Sequence, residues 1–372
     1  MRKKLLIGVT AVALAGLALS GCSSRGSDSG STSGADQIKK GITVGVALPA
    51  KTSQNWVLAK ASFEKALDAA GFKADVQYAA ASNTVADQQN QIQSMVTKGD
   101  KVIIIAAQDG SQLGTQAAQA KKAGATVIAW DRNILNTKNV DFYVAFNNYK
   151  VGQLQAQALL DGMKAKKPTG PYNIEIFAGA NTDANATVFY NGAMSVLKPK
   201  IDDGTLVVPS GQTTFQQVQT DGWDPKNSQT RMQNIITKTY SSGTVLDGVL
   251  SPNDTLGRSI ITACQSAGLP VPIVTGQDSE TASIPLIMNG TQYSTIYKNT
   301  DEEAKGAVDL ITDLANGKKK PAGVDYNDKT NAYNGTITVP YKALTPILVT
   351  KENAVQAYSN NPTLEALAKA GQ

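Results

Sequence analysis

Three segments share one pattern: VLDGVLSPND (residues 245–254), VPIVTGQD (271–278) and YSTIYK (293–298). Each is a short apolar, β-branched run that ends at polar side chains, and the residues after the first run are typical of a helix. Strands that alternate with helices form parallel sheets, whose carboxyl ends border the crevice where ligands bind. We therefore predict that Asn253, Asp278 and Lys298 converge there. An amide, a carboxylate and an ammonium group favour a neutral polar ligand, such as a sugar.

The same alternation of strand and helix runs through the rest of the chain. Buried-strand patterns predict strands at 41–48, 74–79, 102–106, 126–130, 172–177 and 206–208. Helical periodicity predicts helices at 56–70, 84–98, 151–163, 184–197 and 226–240. The rhythm restarts after Phe146, and roughly 330 residues exceed what one core usually supports. The predicted fold is α/β, with two Rossmann-like three-layer α/β/α lobes built on parallel sheets.

The amino terminus has the composition of an export signal. Arg2, Lys3 and Lys4 precede an apolar run that ends just before Cys22. We interpret residues 1–22 as a lipoprotein signal peptide in which Cys22 carries the lipid; a plain cleaved signal with an incidental cysteine is the alternative. Residues 23–40 are rich in Ser and Gly and predict a flexible linker. Together they predict a lipid-anchored, extracytoplasmic protein at the cell membrane.

Charge and composition exclude several functions. Removal of residues 1–21 lowers Lys plus Arg from 35 to 32, against 30 Asp plus Glu, so the apparent basicity gives no reason to expect nucleic-acid binding. The absence of histidine excludes histidine-dependent catalysis and histidine metal ligands. We expect no metal, no cofactor and no enzymatic activity, although carboxylates alone can catalyse hydrolysis. Cys264, on an apolar helix face, is interpreted as a small buried hydrophobic residue.

The chain as a whole resembles the type I periplasmic binding proteins of ABC importers, above all the xylose-binding and multiple-monosaccharide-binding receptors. The likeness runs in order through residues 41–358. The matching stretches are VGVALP (44–49) with Trp56, MVTKG (95–99), WDR (130–132), FNN (146–148), VG (151–152), NGAM (191–194), WDP (223–225), SPND (251–254), GQD (276–278), QYSTI (292–296), VP (339–340) and VTKEN (349–353).

That resemblance implies a monosaccharide held between two lobes. Trp56 and Trp223 would stack on the sugar, and Asp109 would lie at the rim or behind the site. The hydrogen-bonding residues would be Asp131, Arg132, Asp183, Asn185, Asn253, Asp278 and Lys298. Asn55 departs from the family pattern, which has an arginine before the tryptophan, so it would contact the sugar differently. Ala184 departs in the same way from an asparagine.

Each of these residues also has a purely structural interpretation. The tryptophans could be ordinary packing residues. Asp224 and Pro225 could simply start a helix, and Asp183 could cap another. Asp131 and Arg132 could form a structural ion pair, and Lys298 could be a solvated strand end.

The resemblance also implies how the lobes are connected. We expect the first lobe to comprise 41–147 and 298–333, and the second 148–297 and 334–372, with crossings near 146–148, 296–298 and 331–335. Closure about this hinge would capture the sugar and deliver it to the permease of an ABC importer. A sensory receptor for a membrane kinase or chemoreceptor is the alternative, and a carboxylate-dependent extracytoplasmic enzyme is a third. We expect a monomer.

Overall fold

The computed structural model describes residues 38–51, 53–82 and 84–372. The predicted signal peptide, Cys22 and the linker up to residue 37 lie outside the described residues. Within the described ranges, no helix is long and apolar enough to span a membrane.

Strands and helices alternate as the sequence predicts. The strands are β1 (Thr43–Leu48), β2 (Lys73–Tyr78), β3 (Val102–Ile105), β4 (Thr126–Trp130), β5 (Phe142–Phe146), β6 (Tyr172–Ile176), β7 (Leu206–Val207), β8 (Gly248–Leu250), β9 (Ile273–Val274), β10 (Ser294–Tyr297), β11 (Val324–Asp325), β12 (Tyr341–Leu344) and β13 (Ile347–Thr350). The helices are α1 (Gln54–Ala70), α2 (Thr84–Lys98), α3 (Gly114–Lys122), α4 (Asn148–Lys166), α5 (Ala184–Asp202), α6 (Phe215–Val218), α7 (Pro225–Ile235), α8 (Asp254–Ser266), α9 (Ile284–Met288), α10 (Thr300–Ala315), α11 (Lys329–Ala332), α12 (Ala354–Ala357) and α13 (Pro362–Ala370).

The first sheet, as far as the structure describes the chain, has the strand order β2-β1-β3-β4-β5-β12-β11, and only β11 is antiparallel to its neighbour. Helices cover both faces. Phe63 of α1 and Ile311 of α10 pack on one face, and Met95 of α2 and Ala117 of α3 pack on the other. Because both faces are covered, the central strands β1, β3 and β4 are apolar almost throughout. We call the part built on this sheet the first lobe.

The second sheet has the order β7-β6-β8-β9, with all pairs parallel. Leu159 of α4 and Leu197 of α5 belong to the core on one face, and Met232 of α7 and Ile260 of α8 to the core on the other. Cys264 is buried in that second core, which confirms its interpretation as a small hydrophobic residue. We call this part the second lobe; the α/β class and the two three-layer lobes are confirmed.

Several segments differ from the sequence-based expectation. β5, β11, β12 and β13 were not predicted as strands. β10 was expected to end in a parallel sheet, but it forms a separate antiparallel pair with β13. The reason is that the chain returns alongside β10, so the two segments satisfy each other's backbone groups.

The expected boundary before residue 334 also does not fit the sheet. β12 pairs with β5 of the first lobe, and the buried Tyr341 donates to the carbonyl of Phe146 at 2.6 Å and stacks on Tyr143 at 5.0 Å. We therefore propose that the third crossing between the lobes lies between Leu344 and Ile347, and that 334–344 belong to the first lobe.

Candidate ligand-binding site

A cavity of about 190 Å³ lies where the carboxyl ends of strands from both lobes face each other. This volume is below the roughly 300–1,000 Å³ usual for drug-sized ligands, so it suits a small one. Ten residues singled out from the sequence line it: Asn55, Trp56, Asp131, Arg132, Asp183, Asn185, Trp223, Asn253, Asp278 and Lys298. Residues far apart in the chain thus meet at one place because both sheets end there.

Helix starts place several of these side chains. Asp183 caps α5 by accepting from the Asn185 backbone N–H at 2.9 Å, and Asn253 caps α8 by accepting from Leu256 at 2.9 Å. Asp224 caps α7 in the same way, with Pro225 at its first position. The predicted helix start is therefore present, and Trp223 lines the cavity as well.

The backbone at the site adopts an uncommon conformation at three lining residues. Asp131, Trp223 and Asp278 have φ values of 57°, 55° and 90°, in the region that non-glycine residues seldom enter. Such conformations cost about 1–3 kcal/mol each and tend to cluster where ligands bind. Here they turn one carboxylate from each lobe and one indole toward the cavity.

Arg132 links the two lobes across the cavity. Its Nε lies 3.1 Å from Oδ2 of Asp183, and the same oxygen accepts a hydrogen bond from Nε1 of Trp223 at 3.2 Å. The guanidinium carbon lies 5.0 Å from the centre of the Trp56 ring, a cation–π distance. Arg132 thus pairs with Asp183, while the adjacent Asp131 pairs elsewhere, so the two neighbours do not form a structural pair with each other.

Asp131, Asp278 and Lys298 form a second charged group. The Lys298 Nζ lies 3.1 Å from Oδ1 of Asp278 and 3.9 Å from Oδ2 of Asp131. Lys298 is only 9% exposed, so its interpretation as a solvated strand end is wrong. Burial opposes its charge, but the carboxylates of Asp278 and Asp131 outweigh burial and raise the Lys298 pKa. Burial raises the pKa of Asp131, and Lys298 and Arg132 only partly offset it.

Hydrogen bonds between the lobes close the cavity. The Asn185 Nδ2 donates to the Asp131 carbonyl at 2.8 Å, and the Tyr143 hydroxyl donates to Oδ1 of Asn185 at 3.0 Å. At the rim, Oε1 of Gln54 accepts from the Thr281 backbone N–H at 2.9 Å. These contacts join the first lobe to the second in a closed arrangement.

The two tryptophans differ in their surroundings. Trp56 is buried and packs edge-on against Trp130 at 6.2 Å. Trp223 lies against the backbone of Gly179, where a Cβ atom would be 2.0 Å from Cζ2 of the indole. Only glycine at 179 therefore allows the ring its observed position.

The cavity lining includes residues that the sequence did not indicate, and it leaves out Asp109, which the sequence analysis had placed at or behind the site. Gln108, Phe189 and Gln277 also line the cavity. Among the described residues, the buried Oε1 atoms of Gln108 and Gln277 have no hydrogen-bond partner. Gln277 could have been found beside Asp278 in the GQD segment, whereas Phe189, inside α5, gave no signal. Asp109 is not among the lining residues; it accepts hydrogen bonds from the backbone N–H and side-chain Oγ of Ser111.

Asn55 reaches the cavity but is partly engaged elsewhere. Its Oδ1 accepts a hydrogen bond from the Thr300 hydroxyl at 2.5 Å. Its amide N–H₂ group is the part left to donate to a ligand.

The lining therefore combines carboxylate acceptors, cationic and amide donors, and aromatic faces inside a closed, two-lobed body. This arrangement can hold a small polar ligand between the two lobes. The model of the periplasmic binding protein domain family matches residues 44–319, and the chain belongs to that family.

Similar proteins are known from both sequence and structure. The chain is 42% identical over 355 residues to the multiple sugar-binding periplasmic receptor ChvE of Rhizobium radiobacter, covering 94% of this chain and 95% of the relative. It is 34% identical to the D-xylose-binding periplasmic protein of Escherichia coli, covering 84% of this chain and 88% of that one. A solved ABC transporter solute-binding protein of Clostridium phytofermentans with bound β-D-glucose superimposes with a TM-score of 0.79 at 39% identity, covering 86% of this chain and 98% of that chain.

Proposed function

We propose that the protein is an extracytoplasmic receptor that captures a monosaccharide between its lobes and delivers it to an ABC permease. The observation that carries the proposal is the pair of charged groups, Arg132–Asp183 and Lys298–Asp278, on one small cavity with two tryptophans. A sugar hydroxyl both donates and accepts, so paired acceptors and donors suit it. An aromatic ring suits the apolar C–H face of a pyranose.

The relatives support the ligand class. ChvE is described as binding multiple sugars, the E. coli relative as binding D-xylose, and the C. phytofermentans structure holds β-D-glucose. An aldopyranose or fructose is the ligand that we propose. The ten lining residues predicted from the sequence are the proposed contacts, with Gln108, Gln277 and Phe189 added.

A screen by thermal unfolding tests the ligand. A compound that binds only the folded state stabilises it by about 2.7 kcal/mol at a concentration of 100 times its Kd. We expect D-glucose, D-xylose or another monosaccharide to raise the melting temperature, and Asp278→Ala to abolish the rise. Failure of every pentose, hexose and disaccharide to stabilise the protein would refute the carbohydrate assignment.

We further propose that Cys22 anchors the protein to the membrane through lipid. The support is the basic, apolar and small-residue order of residues 2–22. Metabolic labelling with an alkyne-tagged fatty acid tests it. Label should be lost in Cys22→Ala and retained in Cys264→Ala, which removes the other cysteine. Equal labelling of both variants would contradict the proposal.

The sensory alternative differs only in the partner. A strain lacking the protein should lose uptake of the identified sugar. If uptake is retained and only a sugar-dependent transcriptional response is lost, the sensory role is correct. Conversion of the bound sugar to a product by the purified protein would establish the enzymatic alternative instead.

A further inference from the structure

More carboxyl groups than cations surround the cavity. Arg132 faces Asp183, and Lys298 faces both Asp278 and Asp131. A further carboxyl, that of Glu303 in the first turn of α10, is 1% exposed and is not among the residues that line the cavity. If all four carboxyls were ionised, this largely buried group would carry two uncompensated negative charges. Uncompensated buried charge is too costly to persist, so a carboxyl protonates instead.

Glu303 has little to stabilise its charge. Within the described part of the chain, its buried Oε1 has no hydrogen-bond partner. The charged groups that affect the pKa of Glu303 are Asp131, Lys298 and Asp278. The charge of Glu303 in turn contributes to the raised pKa values of the Tyr143 and Tyr341 hydroxyls. Lys298 is the one cation among these groups, and its Nζ is already paired with Oδ1 of Asp278 at 3.1 Å.

Asp131 and Glu303 differ in how well they tolerate ionisation. Burial and then the charge of Asp131 hold the pKa of Glu303 well above its ordinary value, and only Lys298 opposes them. Burial also raises the pKa of Asp131, but both Lys298 and Arg132 oppose that rise. The Lys298 Nζ lies 3.9 Å from Oδ2 of Asp131, whereas Glu303 forms no ion pair within the described ranges. A proton shared between the two carboxyls therefore resides on Glu303, the less stabilised of them.

We propose that Glu303 is a positioning residue that stays a neutral carboxylic acid and so leaves Asp131 ionised, as the partner of Lys298 and an acceptor for the ligand. The part that concerns the ligand rests on the proposed function. Glu303 acts through Asp131 and Lys298 and does not touch the sugar.

The unliganded full-length protein tests the protonation. An acid that is neutral in the folded state but ionises above about pH 4.3 when unfolded makes stability fall as pH rises. Glu303→Gln removes this penalty, so its melting temperature minus that of the wild type should increase by several degrees from pH 5 to pH 8. The matched control is Glu302→Gln, at the exposed neighbouring position, which should show no such trend. An ionised, ion-paired Glu303 gives the opposite sign and would overturn the proposal.

Infrared spectroscopy reports directly on whether Glu303 is protonated. The carbonyl band of a protonated carboxylic acid should be present at pH 7 in the wild type and in Glu302→Gln, and reduced in Glu303→Gln. An unchanged band in Glu303→Gln would show that the proton lies elsewhere.

Titration with D-glucose tests the effect on the ligand. Asp131→Asn should weaken binding at least about tenfold more than Glu303→Gln, because only the former removes an ionised acceptor. The reverse ranking would place the proton on Asp131. If D-glucose and the other monosaccharides do not bind the wild type, the proposed function fails, while the pH dependence of melting still decides the state of Glu303.

Discussion

Gly179→Ala is expected to weaken sugar binding by displacing one aromatic ring. An added Cβ would lie 2.0 Å from Cζ2 and 2.3 Å from Cη2 of Trp223, whereas ordinary contact begins at 3.4 Å. The indole must therefore move by about 1.4 Å, the difference between the first and last of these distances. Gly179 does not have a positive φ, so alanine fits its backbone and the clash is the main effect.

The expected size of the effect follows from two contacts. Binding sites need their groups within about 0.5 Å of the productive geometry, so the ring would lose an aromatic contact of roughly 1.5 kcal/mol. The hydrogen bond from Trp223 to Asp183, now 3.2 Å, would also be stretched, at about 1 kcal/mol. Together these give a loss of roughly 10- to 100-fold in affinity.

Isothermal titration with D-glucose, or with the sugar found in the screen, measures the loss. Overpacking costs about 1–3 kcal/mol of stability, so circular dichroism must first show that the variant is folded. The control is Gly114→Ala in α3, where the added Cβ meets Thr137 at an ordinary 3.5 Å. A folded Gly179→Ala protein with wild-type affinity would refute the view that Trp223 contacts the ligand.

Three further outcomes are expected. Lys298→Met should lower stability by about 3–5 kcal/mol in urea unfolding, because it leaves the buried Asp131 carboxylate and the half-buried Asp278 carboxylate without their cation; a loss below 1 kcal/mol would contradict this. Arg132→Lys should reduce sugar affinity about tenfold by titration calorimetry, since an ammonium group cannot pair with a carboxylate and stack on Trp56 as a guanidinium does; unchanged affinity would contradict it. Burial raises the pKa of Cys264 to about 11, so the native thiol should resist alkylation at pH 8 and react once the protein is unfolded; rapid labelling of the native protein would contradict it.

The local pattern of the sequence was enough to predict most elements of the fold. β3 is apolar throughout because both its faces are covered, and that run was recognisable in the chain. The strands β5, β11, β12 and β13, and the pairing of β10 with β13, were not predicted. β10 reads the same whether its partner runs parallel or antiparallel, because periodicity describes a strand but not its neighbour.

Individual site residues could be predicted from the sequence where a polar or charged side chain follows the carboxyl end of a strand. Asp183 shows why the structural and the binding interpretations could not be separated in the sequence. Its Oδ1 caps α5, while its Oδ2 accepts from Trp223 and faces Arg132. One carboxylate has two oxygens, and both roles are present at once.

The α/β class, the two lobes and the residues that end the strands could be predicted from the chain, because these follow from periodicity and local chemistry. The pairing of charges became apparent only in the folded structure. Arg132 could have paired with the adjacent Asp131 but pairs with Asp183 of the other lobe, and Lys298 is buried between Asp278 and Asp131. The physical reason is that burial and ion pairing depend on distances between segments far apart in the chain, which are fixed only when both sheets have packed and the lobes have closed.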